Sequence, residues 1–233
     1  MVIKRAEFMT SLAAADPMLL GGESQIVVVG KSNVGKSSLI NALARNQKLA
    51  RTSSEPGKTR LINLFRFYAQ DEREFVLVDL PGYGFARVAR EEKVRWQGMI
   101  EGYLSQQDGP CHAFSLVDIR HEPSADDRAM VDYMRHYGIE FTVVATKADK
   151  LSRAQINRSI QSICRALQVQ PWEVIPTSSQ SRQGIDKLVD RIGEVLDAAK
   201  ARSDAYASGE EESIDIEEAG DLGAQDAPGQ GEE

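Results

Sequence analysis

Short runs of apolar residues alternate along the chain with longer segments in which apolar residues recur every three or four positions. The short runs predict β-strands and the longer segments predict amphipathic α-helices. The predicted strands lie near residues 25–30, 62–69, 74–79, 112–118, 140–146 and 172–176. The predicted helices lie near residues 36–46, 91–107, 124–137, 152–168 and 182–200. This alternation is typical of an α/β fold with three layers, in which a mostly parallel six-stranded sheet has helices on both faces.

One strand of this sheet is expected to run against the others. The apolar runs 62–69 and 74–79 are separated only by the short polar segment Gln70 to Arg73. A connection of that length joins antiparallel neighbours, whereas parallel strands need a much longer crossover. The sequence therefore predicts a single antiparallel strand.

Length and composition agree with one domain followed by a tail. The chain has 233 residues, of which 42% are apolar, and this is enough to bury a full core. We expect residues 1–22 to be an N-terminal extension and residues 23–200 to form the folded domain. Residues 201–233 are expected to be an acidic disordered tail, because they contain too little apolar surface to order themselves.

Charge is distributed unevenly. The chain has 35 acidic and 28 basic residues; 11 of the acidic residues and none of the basic ones lie in 203–233, which leaves 1–202 with a net formal charge of +4. Several basic side chains cluster in two segments, namely Arg51, Lys58, Arg60 and Arg66, and Arg87, Arg90, Lys93 and Arg95. RNA phosphates would be attracted to such a surface. A solvated face without a partner is the alternative, because Glu91 and Glu92 interleave with the bases.

The first motif that carries chemistry directly follows the first predicted strand. Gly30 to Ser37 has the form G-x-x-x-x-G-K-[ST] and precedes a predicted helix. In that context backbone N–H groups surround phosphates, Lys36 reaches the β- and γ-phosphates, and the Ser37 hydroxyl ligates Mg²⁺. The predicted phosphate-binding residues are Gly30, Lys31, Ser32, Asn33, Val34, Gly35, Lys36, Ser37 and Ser38. A chance match is the alternative, and the flanking strand and helix argue against it.

Two further segments are predicted to complete the phosphate and metal side of the site. Asp79, Leu80, Pro81 and Gly82 form a D-x-x-G at the end of a predicted strand. Asp79 would hold Mg²⁺ through a water, and the Gly82 N–H would meet the γ-phosphate. In the polar loop 51–60, Thr59 is the predicted second Mg²⁺ ligand and Thr52 is the fallback, with a surface loop that has no ligand role as the alternative. The neighbours expected beside the nucleotide are Gly57, Lys58, Arg60 and Leu61, and the predicted catalytic residues are Lys36, Thr59 and Gly82.

The base is predicted to be read by Thr146, Lys147, Ala148 and Asp149, a T-K-x-D segment after a buried strand. The Asp149 carboxylate can accept from both N1–H and the exocyclic amine of guanine, whereas adenine offers no matching pair of donors. Lys147 would lay its stem along the base plane, and Thr146 keeps a hydroxyl for contacts to neighbouring loops. A solvated Lys/Asp loop is the alternative. A backbone N–H of the segment Thr177, Ser178 and Ser179 would meet the guanine oxygen.

The motifs, in this order, resemble those of the TRAFAC class of GTPases. Their amino-acid sequences are similar to those of the EngB (YihA/YsxC) family. The segments that carry the resemblance, which covers about residues 5 to 200, are Gly30 to Asn41, Pro56 to Thr59, Asp79 to Ala86, Val117 to His121 with Pro123, and Thr146 to Asp149. It implies a P-loop GTPase fold, an EngB-type GTP-binding domain at 23–200, and GTP or GDP with Mg²⁺ as ligands. It further implies a cytoplasmic GTPase that acts in assembly of the large ribosomal subunit, is needed for normal cell division, and has ribosomal RNA or a subunit precursor as partner.

The expected reaction is attack of water on the γ-phosphorus of GTP. Ras-type enzymes carry a water-orienting Gln after the D-x-x-G, and here that residue is Tyr83, so we expect slow intrinsic turnover. Two interpretations of Asn33 stay open: a K⁺ ligand that supplies positive charge, or a residue that only shapes the loop. Two other functions also stay open, a P-loop ATPase or kinase and an RNA-binding assembly factor with negligible hydrolysis. No apolar stretch approaches about 18 residues, so we expect no membrane span, and we expect a monomer that binds no DNA.

Overall fold

The computed structural model describes residues 1–13, 22–50, 61–83, 98, 102–103 and 111–208, and within them seven strands form one sheet. The strands are β1 (Ile3–Leu12), β2 (Gln25–Gly30), β3 (Ile62–Ala69), β4 (Glu74–Asp79), β5 (Cys111–Asp118), β6 (Glu140–Thr146) and β7 (Val174–Pro176). Their order across the sheet is β1-β3-β4-β2-β5-β6-β7. Strand β3 is antiparallel to both of its neighbours, and the remaining pairs are parallel. The three-layer α/β fold and the single antiparallel strand are confirmed.

The predicted number of six strands is wrong by one, because β1 lies in the segment expected to be an N-terminal extension. Most β1 side chains are exposed or half-buried. Its pairing with β3 is irregular at two places, between Ile3 and Arg5 and between Phe8 and Thr10. These irregularities break the two-residue alternation by which a strand is recognised in a sequence. The folded domain therefore begins at β1 rather than at residue 23.

The helices with defined bounds are α1 (Lys36–Ala44), α2 (Ala125–His136), α3 (Arg153–Leu167) and α4 (Ile185–Ser208), with short 3₁₀ turns at Ala148–Lys150 and Pro171–Glu173. Of the predicted helix 91–107, only residues 98 and 102–103 are described, and they are helical. Helix α4 continues to Ser208, so the expected disorder from residue 201 is wrong as far as that residue. This part of α4 is rich in alanine, which favours a helix without any apolar stripe. Residues 209–233 lie outside the described part.

The core consists of two apolar layers, one on each face of the sheet. Helices α2 and α3 cover one face, where Val131 and Ile163 pack with strand residues such as Val78. Helices α1 and α4 cover the other, where Leu39 and Leu188 are buried. Among the described helices, none combines the length and the hydropathy needed to cross a bilayer. With both faces covered, the carboxyl ends of the parallel strands form the edge at which ligands of such sheets bind.

His112, near the start of β5, is a buried neutral side chain that makes stability depend on pH. Its Nε2 lies 2.9 Å from Oγ1 of Thr142. Burial lowers the His112 pKa from 6.5 to about 4, against the attraction of Glu140 and with the help of Arg191. Between these pH values the unfolded chain binds a proton that the folded protein does not bind, so stability falls as the pH falls from about 6.5 towards 4.

We expect the variant His112→Gln to remove this acid sensitivity. The fall in the free energy of unfolding between pH 7 and pH 4 should become smaller by up to about 3 kcal/mol. Urea denaturation at both pH values measures the difference. The same change at exposed His121 is the control, and equal pH dependence in the His112 variant and the wild type would contradict the assignment.

Candidate nucleotide-binding site

The predicted phosphate loop and the D-x-x-G segment lie side by side at the carboxyl edge of the sheet. They follow β2 and β4, which are parallel neighbours. The backbone N–H of Ser32 donates to the Tyr83 carbonyl at 2.9 Å, and the Tyr83 N–H donates to the Gly30 carbonyl at 3.3 Å. These two backbone hydrogen bonds join the loops directly, so a ligand held by one loop is also adjacent to the other.

The phosphate loop turns into α1 through backbone conformations that suit few residues. Gly35, the residue before the helix, has φ +115°, and Asn33 is left-handed with φ 63°. Glycine at position 35 removes the steric cost of that turn. The first turn of α1 contains no acidic side chain. Its free N–H groups and positive dipole end are therefore available to an anion.

The half-buried Lys36 and the buried Asp79 attract each other as opposite charges at the centre of the site. Burial lowers the Lys36 pKa, while Asp79 opposes this effect. Burial also raises the Asp79 pKa to about 6, against the charge of Lys36 and a hydrogen bond from Asn63. Oδ1 of Asp79 is buried and has no hydrogen-bond partner among the described residues. Asp79 interacts with Lys36, the residue before Ser37, and its unpaired carboxylate oxygen therefore fits a hydrated Mg²⁺ held by Ser37 and Asp79.

The loop after β6 is tied to the phosphate loop by two side chains. The Thr146 hydroxyl donates to the Val34 carbonyl at 2.8 Å. Lys147 is left-handed with φ 64°, and its Nζ donates to the Asn33 carbonyl at 2.8 Å. The contact expected from Thr146 to a neighbouring loop is therefore present. The base-reading segment and the phosphate cradle consequently form one connected surface.

Asp149 is held in the charged form at the far end of this surface. A hydrogen bond from Ser178, followed by one from Lys150, lowers the Asp149 pKa below its ordinary value. Its side chain remains 19% exposed. The segment 177–179 is brought alongside because the Ala148 N–H donates to the Thr177 carbonyl at 2.9 Å. The two segments predicted to surround the base thus lie together.

Asp118 and Arg120 are two site residues that the sequence analysis does not single out. In the structure, the Asp118 carboxylate contacts both Lys147 and Arg120. Oδ2 of Asp118 lies 2.9 Å from Nζ of Lys147 and 2.7 Å from a terminal guanidinium nitrogen of Arg120. Burial opposes the charge on Asp118, but the hydrogen bonds from Arg120 and Lys147 hold its pKa below the ordinary range. Asp118 is the last residue of β5, so the rule that singles out Asp79 at the end of β4 could have found it.

We expect Asp118→Ala to weaken nucleotide binding through Lys147. Without the carboxylate, Lys147 loses one of its two anchors, and dissociation of a fluorescent GDP analogue should become about tenfold faster, the equivalent of one lost charged hydrogen bond. Stopped-flow release against excess GDP measures the rate. Asp132→Ala, at an exposed position on α2, is the control, and release at the wild-type rate in the Asp118 variant would contradict this role.

The predicted residues of loop 51–60 lie outside the described part of the chain, namely Thr52, Gly57, Lys58, Thr59 and Arg60. Leu61, the next residue, is 40% exposed and immediately precedes β3. The basic residues Arg87, Arg90, Lys93 and Arg95 are also outside the described part. Their predicted roles stay predictions.

A phosphate loop, an adjoining pair of oppositely charged Lys and Asp side chains, and a connected segment predicted to read the base lie together at the carboxyl edge of this sheet. This arrangement is that of a P-loop GTPase. The family model described as "50S ribosome-binding GTPase" matches residues 25–147. The "Probable GTP-binding protein EngB" of Clostridioides difficile (strain 630) is 44% identical over 193 residues, 82% of this chain and 93% of the relative. The protein of the same name from Alkaliphilus oremlandii (strain OhILAs) is 44% identical over 84% of this chain and 93% of its own. The chain belongs to the EngB family of GTP-binding proteins.

A solved structure of similar fold agrees with this assignment. The crystal structure of a probable GTP-binding protein engB is 26% identical, with a TM-score of 0.58, and the alignment covers 75% of this chain and all of the other.

Proposed function

We propose that this GTPase is a conformational switch that acts in the cytoplasm in assembly of the large ribosomal subunit and is needed for normal cell division. The observation that carries the proposal is family membership, together with the match to a family model described as ribosome-binding. The net charge of +4 on residues 1–202 supports ribosomal RNA, or a precursor of the subunit, as the partner.

In the proposed reaction, Lys36 and the loop N–H groups stabilise the charge that develops on the transferred phosphoryl group. Mg²⁺, when bound, would neutralise part of that charge, and Ser37, Asp79 and Thr59 are the residues proposed to hold it. The Gly82 N–H is proposed to donate to the γ-phosphate. Asp149 would bind guanine through its two donors.

Slow intrinsic hydrolysis is supported by the position of Tyr83. Its side chain is 3% exposed, and its hydroxyl lies 2.9 Å from Oδ1 of Asp127, just after the start of α2. The phenol is thus engaged inside the protein and does not take the place of a water-orienting Gln. We therefore propose that a further element completes the site when the partner binds.

K⁺ near Asn33 is one way to complete the site. Its left-handed backbone equally supports the other interpretation, in which Asn33 only shapes the loop. Turnover should be measured in K⁺ and in Na⁺, with and without ribosomal subunits. Equal rates in both salts under both conditions would exclude the K⁺ interpretation.

Nucleotide preference is the first test of the proposed function. The purified protein should bind GTP at least about 100-fold more tightly than ATP, because adenine offers the Asp149 carboxylate no matching pair of donors. Release of phosphate from GTP then establishes turnover. Equal affinities would favour the ATPase or kinase alternative.

The partner is tested by cosedimentation with ribosomal particles in the presence of a GTP analogue, GDP or no nucleotide, at two salt concentrations. We expect binding that depends on the nucleotide and weakens steeply with salt. Binding that depends neither on the nucleotide nor on the salt concentration would contradict a nucleotide-controlled RNA contact. A hydrolysis-blocked variant that still supports assembly would favour the alternative of an assembly factor with negligible hydrolysis.

A further inference from the structure

Three polar residues lie opposite one another on three neighbouring strands. The last of them, Asp79, lies at the carboxyl edge of the sheet, in the candidate site. Ser11 of β1 is opposite Asn63 of β3, and Asn63 is opposite Asp79 of β4. The Ser11 hydroxyl donates to Oδ1 of Asn63 at 2.7 Å. The Asn63 side chain in turn hydrogen-bonds the Asp79 carboxylate. We call this set the Ser11–Asn63–Asp79 ladder.

The ladder has one consistent arrangement of donors and acceptors. An ionised carboxylate can only accept, so the amide nitrogen of Asn63 must face Asp79 and the amide oxygen must face Ser11. The Ser11 hydroxyl then has to be the donor, as its geometry with Oδ1 of Asn63 allows. Each member thereby fixes the orientation of the next.

The ladder also leaves one oxygen of Asp79 for another ligand. Asn63 donates to the carboxylate, whereas Oδ1 of Asp79 has no partner among the residues that the structure describes. Asp79 lies on the sheet face that α1 covers, since Leu77 and Phe65, each two residues from a ladder member, pack in that layer. A carboxylate held on one oxygen presents the other in a fixed direction.

We propose that Asn63 is a positioning residue that fixes the Asp79 carboxylate for Mg²⁺, and that Ser11 of the edge strand supports Asn63. This inference rests on the proposed role of Asp79 towards Mg²⁺. It assigns a function to β1, whose Ser11 is linked to Asp79 through Asn63. Groups that orient a metal-binding side chain typically contribute about 10- to 100-fold to metal affinity.

The test separates metal binding from nucleotide binding. Asn63→Leu, which preserves size and removes the donor, is titrated with a fluorescent GDP analogue in EDTA and at increasing Mg²⁺. Affinity in EDTA should stay within about twofold of the wild type, while the Mg²⁺ concentration for half-maximal tightening should rise about 10-fold or more. Ser11→Ala should produce a smaller rise. The double variant should resemble Asn63→Leu, because Ser11 acts only through Asn63.

Thr10→Ala is the matched control, since Thr10 is the β1 neighbour of Ser11 and pairs with Leu64 in the opposite apolar layer. A wild-type Mg²⁺ requirement in Asn63→Leu would overturn the proposal. An equal loss of affinity in EDTA and in Mg²⁺ would also overturn it, because Asn63 would then be only structural.

A nucleotide-free measurement distinguishes failure of this inference from failure of the proposed function. The side-chain amide NMR signals of Asn63 should shift in Ser11→Ala and in Asp79→Asn, and should stay in place in Thr10→Ala. Signals that do not move in the first two variants would overturn the ladder. If Mg²⁺ fails to tighten GDP binding in the wild type while the signals do move, the ladder is supported and the proposed role of Asp79 fails.

Discussion

Replacing Asp149 by Asn is expected to lower GTP affinity by about 100- to 1000-fold and to raise affinity for xanthosine triphosphate. In the proposed role, the carboxylate would accept from two neighbouring donors of guanine. The Asn side chain keeps one acceptor and presents an N–H where guanine also has a donor, so one pair becomes repulsive. Xanthine carries a carbonyl in place of the amine and can accept from that N–H.

Competition between each triphosphate and a fluorescent GDP analogue measures the two affinities. Asp186→Asn, near the start of α4, is the control because it changes charge equally outside the site. Asp149 also accepts from Ser178 and Lys150, so thermal unfolding of the nucleotide-free variant must be compared with the wild type. Equal losses for GTP and xanthosine triphosphate would contradict base reading by Asp149.

The parts of the site that sequence predicts well are those in which one short segment carries both the chemistry and the local backbone. The glycine before α1 and the polar residues that end β4 and β6, Asp79 and Thr146, are examples. Their positions at the ends of parallel strands then place them at one edge of the sheet. A motif and its strand are enough to predict this much.

The contacts that sequence does not predict are made between residues far apart in the chain. Ser11 and Asn63 are 52 positions apart, and Asn33 and Lys147 are 114 apart. Such pairs depend on strand register, and the register of β1 is irregular. Local periodicity carries no information about which residue lies opposite which. Asn63 could therefore be assigned only from the structure, whereas Asp118 could be found at the end of β5 but its contact with Lys147 could not.

These long-range contacts also connect the segment predicted to bind the base with the loop predicted to bind the phosphates. Nζ of Lys147 donates to the Asn33 carbonyl in the phosphate loop and to the Asp118 carboxylate. A displaced base would move Lys147, and Lys147 contacts the loop that surrounds the phosphates. We therefore expect base and phosphate binding to be coupled.

Gly82→Ala is expected to impair GTP hydrolysis much more than GDP binding. A methyl group on Gly82 would lie 2.9 Å from Nζ of Lys36 and 3.0 Å from the backbone nitrogen of Ser32. That nitrogen donates to the Tyr83 carbonyl, so it cannot retreat without breaking the bond between the two loops. The methyl group would also lie 2.9 Å from Oγ of Ser32, so the side chains of Lys36 and Ser32 must shift instead. A γ-phosphate would then lose its cation and the close approach of the Gly82 N–H. Single-turnover hydrolysis of GTP should become about 100-fold slower or more, while GDP affinity should fall much less, because GDP loses only the contact of Lys36 with its β-phosphate.

The size of this difference depends on where the added methyl group acts. GDP has no γ-phosphate. Its phosphates keep their contacts with the loop N–H groups, and its base keeps its contacts with the segment 146–149. A change confined to the surroundings of Gly82 should therefore lower GDP affinity less than it lowers GTP affinity. Gly98→Ala is the matched control, because a methyl group there meets no atom of the described residues within 4 Å. If GDP and GTP lose affinity equally, the methyl group has distorted the whole phosphate loop, and Gly82 does not discriminate between them. If hydrolysis keeps its wild-type rate, the γ-phosphate does not lie against Gly82, and the proposed role of the D-x-x-G segment is wrong.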